Sequence, residues 1–368
     1  MTLARKQQIC LEATPYYHLI NRCVRRSFLC GYDKLTKKDF SHRKQWLLDR
    51  LRYLVETFAI KVCAYAVMDN HYHLVVYVDT DMAKHWTQEE VIERYARLHS
   101  TQRILELLDD QEGASEDTLR EIDETLEKWR DRLTSISWFE KSLNEYIARA
   151  ANKEDKVNGR FWQGRFKSQP LLDDAALITC MVYVDLNPIR AGITQSLETS
   201  DFTSIQQRLQ EYVGKQKKKQ ASSAGSDIKQ EARGQKADNR RKIEKTNRRK
   251  NKDTIAVTLP LVSFLTDHTS IHQRFHVPIL AAHYFELMEV TGRAIQKGKH
   301  GHIPDRLPAL VTRLGLNPEA WVESVSRYKK MFPSVVGAET AIRDFVDKVQ
   351  GRCWCIGIKA CAGLYRKM

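Results

Sequence analysis

The chain lacks three things that would place it quickly. Its eight cysteines include no C-x-x-C pair, no apolar run approaches the roughly 20 residues of a membrane-spanning helix, and the first ten residues hold no apolar signal core. The scatter of Cys10, Cys23, Cys30, Cys63, Cys180, Cys353, Cys355 and Cys361 excludes a zinc ribbon and reads as reduced, mostly buried thiols. Together these absences lead us to expect a soluble, cytoplasmic protein. Acidic residues are also in the minority, 46 against 60 Lys and Arg, which leaves a net charge of +14 and points to a polyanionic partner.

That charge is concentrated. Residues 214–252 hold 15 Lys and Arg against 4 Asp and Glu, with almost no apolar side chains, so this stretch cannot build a core. It reads as a disordered basic linker over 214–254, serving either to attract nucleic acid by counterion release or as a solvated tether. The 368 residues are enough for two domains, 1–213 and 255–368, on either side of it.

In the first domain, Tyr16 to Val24 reads as a strand. Ser41 is placed to cap a helix carrying Leu47, Leu51, Leu54 and Phe58 at spacings of four, three and four. Residues 60–79 form two apolar, β-rich runs about an Asp69-Asn70 turn, which predicts a hairpin. A helical insertion follows at about 83–155, with Leu119, Ile122, Leu126, Trp129 and Leu133, then Leu143, Tyr146, Ile147 and Ala150, as its apolar positions. Phe161 to Leu172 reads as a further strand, and Asp174 as the cap of a last helix.

The resulting α+β order is that of a ferredoxin-like split βαβ sheet with one helix added, helices on one face and the other face left for a ligand. After the linker, helix-period positions over 280–292, 318–328 and 339–349 predict a mainly helical domain, whose role the sequence leaves open.

The hairpin carries His71-Tyr72-His73. Two histidines two apart on a strand share a face and can grip one divalent cation. With twelve histidines in the chain, the spacing alone is weak evidence. His300 and His302 repeat it in a Gly- and Pro-bearing loop, and His268, His272 and His276 fall at helical spacing beside Pro278. We read those five as structural or surface residues.

Residues 175–187 can form one helix ending before Pro188, which puts Tyr183 and Asn187 one turn apart. A tyrosine hydroxyl attacking a DNA phosphate conserves the phosphodiester energy in a phosphotyrosine ester and needs cations to offset the developing charge. The plainer alternative is a core tyrosine before an Asn-Pro turn. Upstream, Arg160, Phe161, Trp162, Arg165 and Lys167 interleave cations and rings, a mixture suited to single-stranded nucleic acid or, on alternating strand faces, to buried rings with exposed cations.

Three segments in this order resemble the single-tyrosine HUH transposases, especially the REP-associated tyrosine transposases. They are Asn70-His71-Tyr72-His73-Leu74-Val75, the run Gly159 to Ser168, and Tyr183-Val184-Asp185-Leu186-Asn187-Pro188-Ile189-Arg190-Ala191-Gly192. The resemblance covers about residues 14–205. It implies a ferredoxin-like HUH domain in which His71 and His73 bind Mg or Mn, Asn187 completes the coordination and Tyr183 is the nucleophile.

It further implies cleavage and rejoining of single-stranded or hairpin DNA through a 5′-phosphotyrosine. Arg160, Phe161, Trp162, Arg165, Lys167 and Arg190 are then expected at the DNA, in a protein of the bacterial nucleoid. Whether it works as a homodimer stays open. Two other readings also stand: a domesticated DNA-binding regulator of repeats that no longer cleaves, and a metallohydrolase with zinc on the histidine pair.

Overall fold

A computed structural model describes residues 8–24, 30–33, 37–109, 115–214, 258–265, 276–296, 311–312, 316–349 and 358–365. Nearly all of the proposed basic linker, and His268, His272, His300 and His302, lie outside them; His276 opens a short strand, His276–Leu280.

Strands β1 (Tyr16–Arg22), β4 (Ile60–Val67), β5 (His71–Val78) and β6 (Lys167–Pro170) form one antiparallel sheet in the order β4-β5-β1-β6; β2 (Tyr32–Asp33) and β3 (Lys38–Asp39) pair separately. The expected hairpin is present, closed by Met68 N–H donating to the His71 carbonyl at 2.8 Å. Its ladder carries a bulge between Val62 and Ala64.

Alternation along these strands sends two sets of side chains to two faces. Tyr17, Leu19, Tyr72, Leu74 and Val76 face helix α1 (His42–Thr57), whose Leu47, Leu51 and Leu54 are buried, and helix α6 (Ile136–Asp155), whose Phe139, Leu143 and Ile147 join the same core. Removing one such leucine by substitution to Ala costs roughly 2–5 kcal/mol. The insertion runs from α2 (Thr80–Lys84) through α3 (Gln88–Ala96), α4 (Gln102–Asp109) and α5 (Glu116–Thr134) to α6. Trp86, Val91, Tyr95, Ile122, Leu126 and Trp129 give it a small core of its own. Leu119 and Tyr146, expected on apolar stripes, are instead 41% and 47% exposed.

The opposite sheet face is not open. Cys63, Ala64, Ala66 and Val75 pack against helix α7 (Asp174–Asp185), every residue of which from Ala175 on is buried. A helix apolar all round needs cover on all sides. The chain beyond residue 258 provides it, because Tyr284, Leu287, Met288, Trp321, Val325, Tyr328 and Phe332 belong to the same apolar cluster as α7. The helices there, Ala281–Gln296, Pro318–Ser326, Tyr328–Met331, Glu339–Lys348 and Ile358–Leu364, include the three expected from periodicity.

Four local expectations change. Ser41 adopts helical φ and ψ and makes no side-chain cap bond. The strand expected over 161–172 is regular only at Lys167–Pro170: Trp162 bridges Cys23, and the chain then leaves the ladder until Lys167 pairs with Ile20. Asp173, not Asp174, caps α7, accepting from Ala176 N–H at 2.8 Å. Finally, α7 stops at Asp185, and Asn187 starts a separate turn, α8 (Asn187–Arg190), because Pro188 has no N–H to continue the ladder.

Candidate nucleic acid processing site

The site sits on the α7 face. In β5, Tyr72 turns to the α1/α6 side, where its hydroxyl donates to Glu140 Oε2 at 2.6 Å, so His71 and His73 point the other way. Their ring centroids are 5.0 Å apart. The His73 and Tyr183 centroids lie 5.5 Å apart, with the rings edge to face. Residues over a hundred positions apart in the chain therefore meet.

A third histidine completes the cluster. His18 on β1 has its Nε2 2.8 Å from His73 Nδ1 and its own Nδ1 3.1 Å from Gln169 Oε1. The protons on this chain can be assigned. The Phe332 carbonyl can only accept, so it fixes the Gln169 amide nitrogen as the donor toward it and leaves Oε1 as the acceptor. His18 Nδ1 must then donate to Oε1 and its Nε2 must accept, so His73 carries its proton on Nδ1.

His73 Nε2 is left with a lone pair and, buried, has no hydrogen-bond partner. A metal-ligating imidazole has this pattern, one nitrogen held by a hydrogen bond and the other free. His71 is similar, with Nδ1 2.6 Å from Asn70 Oδ1. Burial lowers the pKa of all three rings, to about 3 for His18 and His71 and well below the ordinary range for His73, with Lys329 adding to the shift, so they stay neutral and able to coordinate.

Tyr183 is 1% exposed. Burial pushes its hydroxyl up to about 12, partly opposed by Arg190 and Asn187. The Arg190 guanidinium lies 4.7 Å from the centre of its ring, and Tyr328 stacks on that ring at 4.4 Å. Although α7 ends before Asn187, the α8 turn keeps this buried residue close enough to the tyrosine to act on its hydroxyl.

As donors, His71 and His73 would give two nitrogens and Asn187 an amide oxygen. Among the described residues no group of three or more His, Cys, Asp or Glu side chains could hold a metal ion. The residues present fit a divalent ion through the unspent His73 nitrogen, with one protein oxygen rather than a carboxylate cage.

Of the cations and rings expected at DNA, Arg190 lies at the tyrosine, and Lys167 is close enough to Lys329 to act on it electrostatically. Arg160 and Arg165 are exposed, and among the described residues no contact joins them to the site. Phe161 is 3% exposed and packs in the α1/α6 core, so it has no face for a base. Trp162 is half-buried, edge-on to Tyr72, and donates through Nε1 to the Asn144 carbonyl at 2.9 Å. Buried rings between exposed arginines are thus the arrangement along this segment.

Sequence reasoning missed His18, Tyr328 and Lys329. His18 could have been suspected from its strand phase, whereas nothing local marks the other two.

No protein-family model matches the chain, and no curated protein matches its sequence. One solved structure is similar, that of a REP-associated tyrosine transposase bound to a REP hairpin, over 57% of this chain and 86% of that one, at 12% identity and a TM-score of 0.34. No helix among the described residues is long and apolar enough to cross a membrane.

Proposed function

We propose that this protein cleaves and rejoins single-stranded or hairpin DNA, with Tyr183 as the nucleophile. The observation that carries the reading is the meeting of Tyr183 with His71 and His73, together with the unspent lone pair on His73 Nε2. We read the strand order β4-β5-β1-β6, with the crossover helices α1 and α6 on one face, as a ferredoxin-like HUH domain to which α7 has been added.

The Tyr183 oxygen forms a bond to phosphorus as the bond to the 3′-side oxygen breaks. The phenol proton passes to water, and the departing oxygen takes a proton from water to end as a free 3′-hydroxyl. His71, His73 and Asn187 would hold a Mg or Mn ion, which would supply positive charge against the phosphate oxygens when bound. Arg190, beside the ring, lowers the cost of phenolate formation. Reversal of the same step on a new 3′-hydroxyl rejoins the strand.

Incubation with end-labelled hairpin DNA and Mg or Mn should leave a covalent protein–DNA adduct on a denaturing gel, and Tyr183→Phe should abolish it. An adduct that survives this substitution would rule out Tyr183. A second reading, DNA binding without cleavage, is favoured by the cover Tyr328 places on Tyr183. Hairpin binding with no adduct under either metal would decide for it.

A further inference from the structure

We propose that the region after residue 258 completes a phosphate-binding site, with Lys329 as the contributing cation, next to the histidine pair and Tyr183. This rests on the reading of the centre as a DNA phosphate site and gives its C-terminal cover a role in binding.

The helix Tyr328–Met331 is fixed at the site by its neighbours. Tyr328 stacks on Tyr183, Arg190 donates to the Ser326 carbonyl, and Gln169 donates to the Phe332 carbonyl. Lys329 is held between these anchors. Arg22 pairs with His71 across the β1–β5 ladder, and Lys167 opens β6 on the other side of β1. Arg22, Lys167, Arg190 and Lys329 thus gather around three neutral imidazoles.

None of the four takes part in an ion pair with a carboxylate among the described residues, although ion pairs are frequent elsewhere on the protein. Like charges collected without counter-charge leave a potential that an anion relieves. The cost shows on Lys329, whose ammonium is pressed down to about 8 by burial and then by Arg22, Arg190 and Lys167. Lys329 is nonetheless exposed as a residue, so a ligand can reach it.

A phosphodiester suits such a site, since its one negative charge is spread over two oxygens that several donors can share. The plain alternative is a solvated surface lysine, and Lys330, also exposed and one residue on, is its internal control.

The experiment measures binding of a fluorescein-labelled single-stranded oligonucleotide to the full chain carrying Tyr183→Phe, so that chemistry plays no part, across a salt series. Lys329→Gln should weaken binding about 3- to 10-fold near 0.1 M salt and make the slope of log K against log salt shallower by about 0.7. Lys329→Arg should restore both, and Lys330→Gln should change neither. Thermal melts confirm that each variant is folded. An unchanged slope in Lys329→Gln, equal effects of Lys329→Gln and Lys330→Gln, or no binding by the parent protein overturns the proposal. Normal Lys329-dependent binding with no adduct in the otherwise wild-type chain would instead leave this site standing and remove the transferase reading.

Discussion

Tyr328 lies on Tyr183 with their ring centroids 4.4 Å apart and their planes 17° from parallel. One ring belongs to the helix that carries the candidate nucleophile and the other to a region joined to it through the basic stretch. Both are almost fully buried, and the Tyr328 hydroxyl donates to Gln169 Oε1 at 3.1 Å. Tyr328→Ala should destabilise the protein by about 3–5 kcal/mol, as expected for removing a large buried ring. The same change should raise nitration of Tyr183 by tetranitromethane, read by peptide mass spectrometry. Tyr328→Phe, which loses only the hydrogen bond, should cost about 1 kcal/mol and leave nitration low. Equal nitration in all three proteins would show that Tyr328 does not control access.

The His18–His73 bond gives a second expectation. With His18 replaced by Leu, His73 Nδ1–H loses its acceptor and the ring can take either tautomer. Divalent-ion affinity should fall about 10- to 100-fold, the usual effect of losing the partner behind a metal ligand. Titration calorimetry with Mn²⁺ measures this without any catalytic step. Undiminished affinity in a folded His18→Leu protein would mean that His18 only fills space.

How much of this was legible in the sequence depended on the range of the interaction. The face shared by His71 and His73 follows from strand alternation, and an end to the helix near Pro188 follows from that residue, although α7 stops at Asp185, earlier than the local rule places it. His18 joins the site through sheet register, which brings β1 beside β5 and which no window of sequence states. Lys329 and Tyr328 arrive through packing against α7. The uniformly apolar run Ala175 to Val184 does signal that something must cover the helix, but not what. The cations around Phe161 leave base stacking and burial equally open in the sequence; contact with the α1/α6 core, outside any regular strand, decides for burial.

Tyr72, between the two histidines, tests that alternation directly. Its hydroxyl is held by Glu140 Oε2 at 2.6 Å and Asn144 Oδ1 at 2.9 Å, on the face away from the site. Tyr72→Phe removes a donor from the buried Glu140 carboxylate. The expected loss is about 1–3 kcal/mol in urea denaturation, with Mn²⁺ affinity unchanged. A fall in metal affinity without a fall in stability would place Tyr72 on the wrong side of the sheet.

Asp185, two residues after Tyr183, predicts a pH signature of the fold. Its carboxylate accepts from the Ser204 hydroxyl, the Ile205 N–H at 3.1 Å and the Tyr284 hydroxyl at 2.6 Å, tying α7 to residues on both sides of the basic stretch. Burial nevertheless raises its pKa from 3.8 to about 6, the hydrogen bonds offsetting only part of the desolvation. Between about pH 4 and 6 the folded protein therefore binds more protons at this position than the unfolded chain. Stability from Asp185 is greatest below that window and declines as pH rises through it. The decline amounts to roughly 2–3 kcal/mol. Asp185→Asn cannot titrate, so the stability difference between variant and parent should move in the variant's favour by that amount from pH 4 to pH 7. Denaturant midpoints at closely spaced pH values measure it, and parallel curves for the two proteins would mean that Asp185 is ionised in the fold throughout.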